Sequence, residues 1–253
     1  SRYRPKFLYT MPAYHNPTGI CMSLAKRIRL LELVNKYGIP VLEDDPYGEL
    51  YFEGQPLSPL KSMDKNGYVM YLSTFSKTIS PGLRLGWICT GKKLIHQLCN
   101  IRQLADLHSN CISQQVVERF IVSGGMADYL TLLRREYKER RDIMAEALDR
   151  YAPPGLSWNI PAGGYYLWCT LPEGVSAEAL AQRAAAGGVA ILPGMPSYLV
   201  TRKGEAHVRL NYTFPAKNRI SEGIRLLCEA IRELLRLSKE AAWPAENEIN
   251  PIL

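Results

Sequence analysis

Three short apolar runs, each ending in polar side chains, constrain this chain more than any other feature. Lys6 to Met11 leads into the turn Asn16-Pro17-Thr18-Gly19. Pro40-Val41-Leu42-Glu43-Asp44-Asp45 ends in acid, and Tyr68 to Phe75 runs into Ser76-Lys77. One helix length separates the first two, with Ser23 as N-cap and a stop near Tyr37 at Gly38 and Pro40. A loop carrying Pro56 and Pro59 leads to the third, and Leu85 to Cys89 is a further strand bounded by Gly82 and Gly91. Strands spaced by helix-length segments predict an α/β fold: a mainly parallel sheet with flanking helices.

The character changes further on. From Lys92 to about Tyr151 the pattern is helical, with Met126 to Arg150 the longest stretch, closed by Pro153, Pro154 and Gly155. Leu156 to Thr170 carries two strand patterns around Pro161-Ala162-Gly163-Gly164. A short Ala-rich helix capped by Ser176 ends at Gly187-Gly188. Val189 to Leu192 and His207 to Tyr212 read as strands, and Lys217 to Leu237 as an amphipathic helix. This predicts a large domain over residues 1–138 and a smaller α+β C-terminal domain over residues 139–253, bridged by the long helix. The tail from Ser238, with Pro244 and Pro251, is expected to be weakly ordered.

Of the 253 residues 47% are hydrophobic and 22% charged, so a packed core is expected and disorder is not. No uninterrupted apolar run approaches the roughly 20 residues that span a bilayer. The first residues are not followed by a signal-type apolar stretch, so nothing points to secretion. Six cysteines are scattered without a C-x-x-C pair, which favours reduced thiols in a cytoplasmic protein. Four histidines without ligand spacing give no metal site. The net charge of +7 reads as a basic surface or as attraction for an anionic ligand or nucleic acid. No basic-plus-aromatic reading motif accompanies it. Arg134, Arg135, Lys138, Arg140 and Arg141, interleaved with Glu136 and Glu139, read as an exposed helix face.

Four polar clusters fall at strand ends, where open α/β sheets place ligands. Lys77 directly follows an apolar strand, a position that would desolvate its amine and make it a nucleophile, although most lysines in such places are simply solvated. The hydroxyls of Thr74 and Ser76 and the guanidinium of Arg84 could surround a phosphate. Asp44 and Asp45 fit a metal site or an N-cap, or an acid that keeps a pyridine nitrogen protonated, with the Tyr47 phenol donating to a ring oxygen. Asn16 lies in a turn that Pro17 and Gly19 would form whatever the function, and its amide could serve the same ring oxygen. Arg209, inside an otherwise apolar strand, needs a partner: an internal carboxylate or that of an amino-acid substrate.

Taken in order, Asn16-Pro17-Thr18-Gly19, Glu43-Asp44-Asp45-Pro46-Tyr47, Ser73-Thr74-Phe75-Ser76-Lys77, Pro81-Gly82-Leu83-Arg84-Leu85-Gly86 and Val208-Arg209-Leu210-Asn211 resemble the successive signatures of class I/II aminotransferases of fold type I, which use pyridoxal 5'-phosphate (PLP). The likeness runs from about residue 6 to 237. Within that family the chain is similar to aminoadipate and kynurenine aminotransferases, and equally to the aminotransferase-like domain of MocR-type regulators of the GntR class.

The resemblance implies that Lys77 is the amine that forms the cofactor imine and later shuttles a proton. It implies that Asp44 pairs with the pyridine nitrogen and that Asn16 and Tyr47 bind the ring hydroxyl. Thr74, Ser76 and Arg84 would bind the phosphate; Arg209, with Asn16 nearby, would hold the substrate carboxylate. Family members often have serine where Thr74 stands. They also carry a long segment before the Asn-Pro-Thr-Gly turn, so the large, PLP-binding domain is expected to be partial here.

The implied function is transfer of an amino group between an amino acid and a 2-oxo acid by a homodimer. The alternative is an effector-binding domain of a regulator, which would reach DNA only through a separate N-terminal domain. A PLP lyase or decarboxylase is a third reading. Side-chain specificity is not legible: Tyr14, Tyr165 and Tyr166 could lie near a site, but core packing is the first expectation for each.

Overall fold

The computed structural model describes residues 5–199 and 201–242. They form two compact units. The first runs to Lys138 and includes Pro161–Gly164; the second comprises Glu139–Ile160 and the chain from Tyr165 onward.

The first unit holds strands β1 (Leu8–Thr10), β2 (Val41–Asp44), β3 (Val69–Thr74) and β4 (Gly86–Cys89), in the order β1-β2-β3-β4. The first three run parallel, and β4 returns antiparallel along β3. Helix α1 (Leu24–Tyr37) connects β1 to β2. Its N-cap Ser23 accepts from the Lys26 N–H, and Gly38 ends it in the left-handed conformation at φ 64°. The inward face of α1, Leu31 and Val34, packs with Val41, Val69 and Leu60. Each such side chain contributes at most about 1.5–3 kcal/mol of transfer free energy.

Two buried charges organise this core. The Arg27 guanidinium donates to the carbonyls of Met22, Ser58 and Pro12. The Glu43 carboxylate accepts from the Leu60 and Lys61 N–H groups at 2.7 and 2.8 Å. That cap builds a four-residue helix, α2 (Leu60–Met63), inside the proline-bearing loop, where propensity alone gives no signal. Helices α3 (Lys92–Asp106), α4 (Cys111–Val122) and α5 (Gly125–Tyr151) resolve the long helical stretch into three.

The second unit is an antiparallel sheet of β5 (Ser157–Trp158), β6 (Tyr166–Thr170), β7 (Leu192–Pro193) and β8 (His207–Asn211), ordered β5-β6-β8-β7. Helices α6 (Ala177–Ala186) and α7 (Lys217–Ala242) complete it. Leu167, Cys169, Val208 and Leu210 from the sheet, Leu180 from α6, and Ile224, Leu227 and Ile231 from α7 are buried. Burial pushes the Cys169 thiol up to about 12 and the Cys228 thiol up to about 11.

Several expectations shift. Pro161–Gly164 goes with the first unit because Phe52 N–H donates to the Ala162 carbonyl and Gly164 N–H to that of Leu50. The strand expected at Val189 to Leu192 is confined to Leu192–Pro193. Helix α7 passes Ser238 to Ala242; the rest of the expected loose tail, with Pro244 and Pro251, lies outside the described residues. The basic stretch on α5 is not uniformly solvated. Arg141 is buried and pairs with Asp142 at 2.6 Å, and Arg140 donates to the carbonyls of Thr213 and Pro215. Each guanidinium exchanges water for charge-assisted hydrogen bonds within the protein.

Candidate active site

Parallel strands bring their carboxyl ends to one edge of a sheet. Asn16 follows β1, Asp44 closes β2 with Tyr47 just beyond, and Thr74 closes β3 ahead of Ser76 and Lys77. Because β4 is antiparallel, with Gly86 opposite Thr74, Arg84 sits at that same edge. Seven sequence-selected residues from four separate segments thus share one end of the first unit's sheet.

Asp44 and Asp45 are neighbours whose carboxylates diverge. Asp45 is buried and accepts from the Gly48 N–H at 2.7 Å and from the Tyr71 hydroxyl at 2.9 Å. Burial raises its pKa, against the opposing effect of those two donors. Gly48 leaves room for this carboxylate, since a Cβ at that position would run into both Asp45 carboxylate oxygens. Asp44 is only half-buried, and its Oδ2 accepts from the Tyr9 hydroxyl at 2.5 Å. Partial burial and then that hydrogen bond push the Tyr9 phenol up to about 12.

At the end of β3, Ser76 N–H donates to Thr74 Oγ1 at 3.1 Å, and the two hydroxyl oxygens stand 3.0 Å apart. Lys77 lies half-buried on the turn that follows, where the Ile79 and Ser80 N–H groups return to the Phe75 carbonyl. Arg84 is exposed and adopts φ 55° as it caps a single 3-10 turn. The close approach of β4 to β3 is possible because residue 86 is glycine: a Cβ there would stand 2.9 Å from the Ser73 carbonyl oxygen. Asn16 sits in a turn closed by Gly19 N–H to the His15 carbonyl, beside a His15 imidazole that burial holds below its usual range.

Arg209 belongs to the second unit. Its neighbours Val208 and Leu210 point into that core, while its guanidinium lies over the Tyr166 ring, 4.1 Å from the centroid. A planar cation held against an aromatic face is oriented without being neutralised. Tyr14 packs against Gly163 and Gly164, the core use foreseen for it.

The edge of the first unit therefore offers an amine, a carboxylate, paired hydroxyls with a backbone N–H, and an exposed guanidinium. That donor set fits a phosphorylated pyridine aldehyde. A phosphate needs the hydroxyls and the guanidinium, a protonated ring nitrogen needs the carboxylate, and an aldehyde needs the amine. Sequence reasoning missed Tyr9 and Tyr71. Their only signal is strand register, which no single segment carries. Among the described residues no cluster of His, Cys, Asp or Glu could hold a metal ion, and no helix is long and apolar enough to cross a membrane.

A model of the family described as aminotransferase class I and II matches residues 4–227. An aromatic-amino-acid aminotransferase of Thermococcus litoralis is 39% identical over 231 residues, covering 91% of this chain and 55% of that protein. An uncharacterized HTH-type transcriptional regulator of Bacillus subtilis is 37% identical over 234 residues, covering 92% of this chain and 48% of the regulator. The crystal structure of an alpha-aminoadipate aminotransferase from Thermus thermophilus, complexed with N-(5'-phosphopyridoxyl)-L-leucine, superposes with a TM-score of 0.88 at 38% identity, over 93% of this chain and 61% of that one. The chain thus spans about half the length of the curated relatives it matches.

Proposed function

Because the chain belongs to the class I and II aminotransferases, a PLP-dependent family, we propose that it binds PLP at the sheet edge of its first unit and takes part in moving an amino group between an amino acid and a 2-oxo acid. The observation that carries this reading is the convergence of Asn16, Asp44, Tyr47, Thr74, Ser76, Lys77 and Arg84 on one edge. We read residues 1–138 as part of the cofactor-binding domain and residues 139–253 as the smaller domain.

When bound, the cofactor supplies an electron sink for the substrate's Cα–H bond. The chain's own residues bind, orient and move the proton. Thr74, Ser76 and Arg84 would hold the phosphate, and Asn16 and Tyr47 would donate to the ring hydroxyl. The Asp44 carboxylate would accept from the protonated ring nitrogen. Lys77 would hold the cofactor through its amine and would accept the proton taken from the substrate Cα. Arg209 would bind the substrate carboxylate with two parallel N–H donors, and Asn16 is a second candidate for substrate contact.

A cytoplasmic homodimer is part of the same reading. Six free cysteines suit a reducing compartment. Exposed apolar side chains on and beside α3 and α4, such as Leu104, Leu107, Ile112 and Val122, suit burial against further protein.

One observation favours a second reading. An HTH-type regulator shares this region at 37% identity, so the same site would serve as an effector sensor, with DNA contact left to a separate domain. Borohydride reduction of the full-length protein with PLP, followed by peptide mapping, tests the site common to both. The pyridoxyl group should be on Lys77; a label on Lys61 or Lys92 would overturn the assignment. Transamination by the same protein then separates enzyme from sensor.

A further inference from the structure

Asp44 does not stand alone at the strand end. In the parallel pairing of β1 and β2, Tyr9 is in register with Leu42. Side chains two apart on a strand point to the same face, so Leu42, Asp44 and Tyr9 share one side of the sheet. The phenol then reaches forward, and Oη meets Asp44 Oδ2 at 2.5 Å. An O–H donor to a carboxylate at this distance is a charge-assisted bond, among the stronger hydrogen bonds in proteins. The ring is 53% exposed, so strand register holds it there and core packing does not.

We propose that Tyr9 is a positioning residue for the cofactor: it fixes the Asp44 carboxylate in one orientation toward the pyridine nitrogen. The inference rests on the reading of Asp44 as the partner of that nitrogen. A carboxylate has two oxygens, each able to accept more than one donor. The Tyr9 bond therefore leaves capacity for a ring N–H. Because burial and Asp44 itself push the phenol up to about 12, Tyr9 stays a protonated donor at neutral pH. The neighbouring acid gains nothing from Tyr9, since the hydroxyl that serves Asp45 comes from Tyr71 on β3. Each carboxylate has its own phenol, and only the Asp44–Tyr9 pair faces the Leu42 side of the sheet.

The test is a double-mutant cycle on the full-length protein with Tyr9→Phe, Asp44→Asn and the pair, read by PLP titration, by the absorbance maximum of bound PLP, and by thermal unfolding without cofactor. Tyr9→Phe removes one hydrogen bond from a half-exposed ring and leaves no buried group without a partner, so its unfolding temperature should fall only slightly. Its PLP affinity should fall about tenfold and its absorbance maximum should shift, because ring-nitrogen protonation changes the chromophore. In the Asp44→Asn background, Tyr9→Phe should cost little more. Parent-like affinity and spectrum in Tyr9→Phe, with binding weakened in Asp44→Asn, would refute the role of Tyr9 and leave the site reading intact. Additive losses would also refute it, since Tyr9 would then act independently of Asp44. Parent-like binding by Asp44→Asn would instead overturn the reading of Asp44 itself, and this inference with it.

Discussion

The Tyr71 hydroxyl donates to Asp45 Oδ2 across 2.9 Å, from a ring whose centroid lies 5.1 Å from that of Trp87. With the Gly48 N–H on Oδ1, that bond commits Asp45 to holding the loop after β2. Asp45→Ala should destabilise the cofactor-free protein by about 1–3 kcal/mol, because a part-buried N–H and a part-buried hydroxyl lose their acceptor. Asp44→Ala should leave the unfolding temperature nearly unchanged and weaken PLP binding and amino-group transfer far more. Thermal unfolding and PLP titration of both variants decide the point, and the reverse ranking would exchange the two roles.

Gly48→Ala presents a simpler case. The new methyl group would overlap the Asp45 carboxylate, so either the loop or the acid must shift. A loss of about 1–3 kcal/mol in denaturant unfolding is expected, as for other overpacked sites. Gly54→Ala provides a comparison: open space surrounds residue 54, but its φ of 70° adds backbone strain, so its loss should reflect conformation alone. Raising the side-chain volume at 48 to valine should deepen the first loss further.

Burial raises the pKa of Glu43 even though the Lys61 and Leu60 N–H groups favour its charged form. The folded value thus lies above the unfolded value of about 4.3. The stability this group contributes is fully present below the unfolded value and is lost as pH rises through the folded one. The stability of the parent relative to Glu43→Gln should therefore decline as pH rises from about 4 toward neutrality. Urea unfolding of both proteins across that range measures it, and a difference that grows with pH would contradict the assignment.

Arg209→Lys keeps the charge but loses the planar fork and the stacking on Tyr166. Amino-acid binding should weaken by roughly tenfold or more, the scale of one charge-assisted hydrogen bond, while PLP remains bound. Titration with amino acid, monitored through the cofactor absorbance, gives the readout. If Arg209→Met is stable and Arg209→Lys unfolds, the arginine serves the fold and not the substrate.

The sequence by itself determined the strands of the first unit and what stands at their ends. Apolar runs that stop at Asp44 and Thr74 carry their own signal, because strand periodicity and the polar residues that end it are local. Helix α1 was legible for the same reason: Ser23 and Gly38 satisfy its terminal N–H and carbonyl groups from within a few residues. Only the tertiary structure decided which of two adjacent acids faces which way and what each one touches. Those outcomes hang on the register between β1, β2 and β3, which sets Tyr9 beside Asp44 and Tyr71 beside Asp45. The same holds for α2, built by a buried Glu43 seventeen residues before Leu60. Register and capping across such separations arise when distant segments pack, so no local pattern could have announced them.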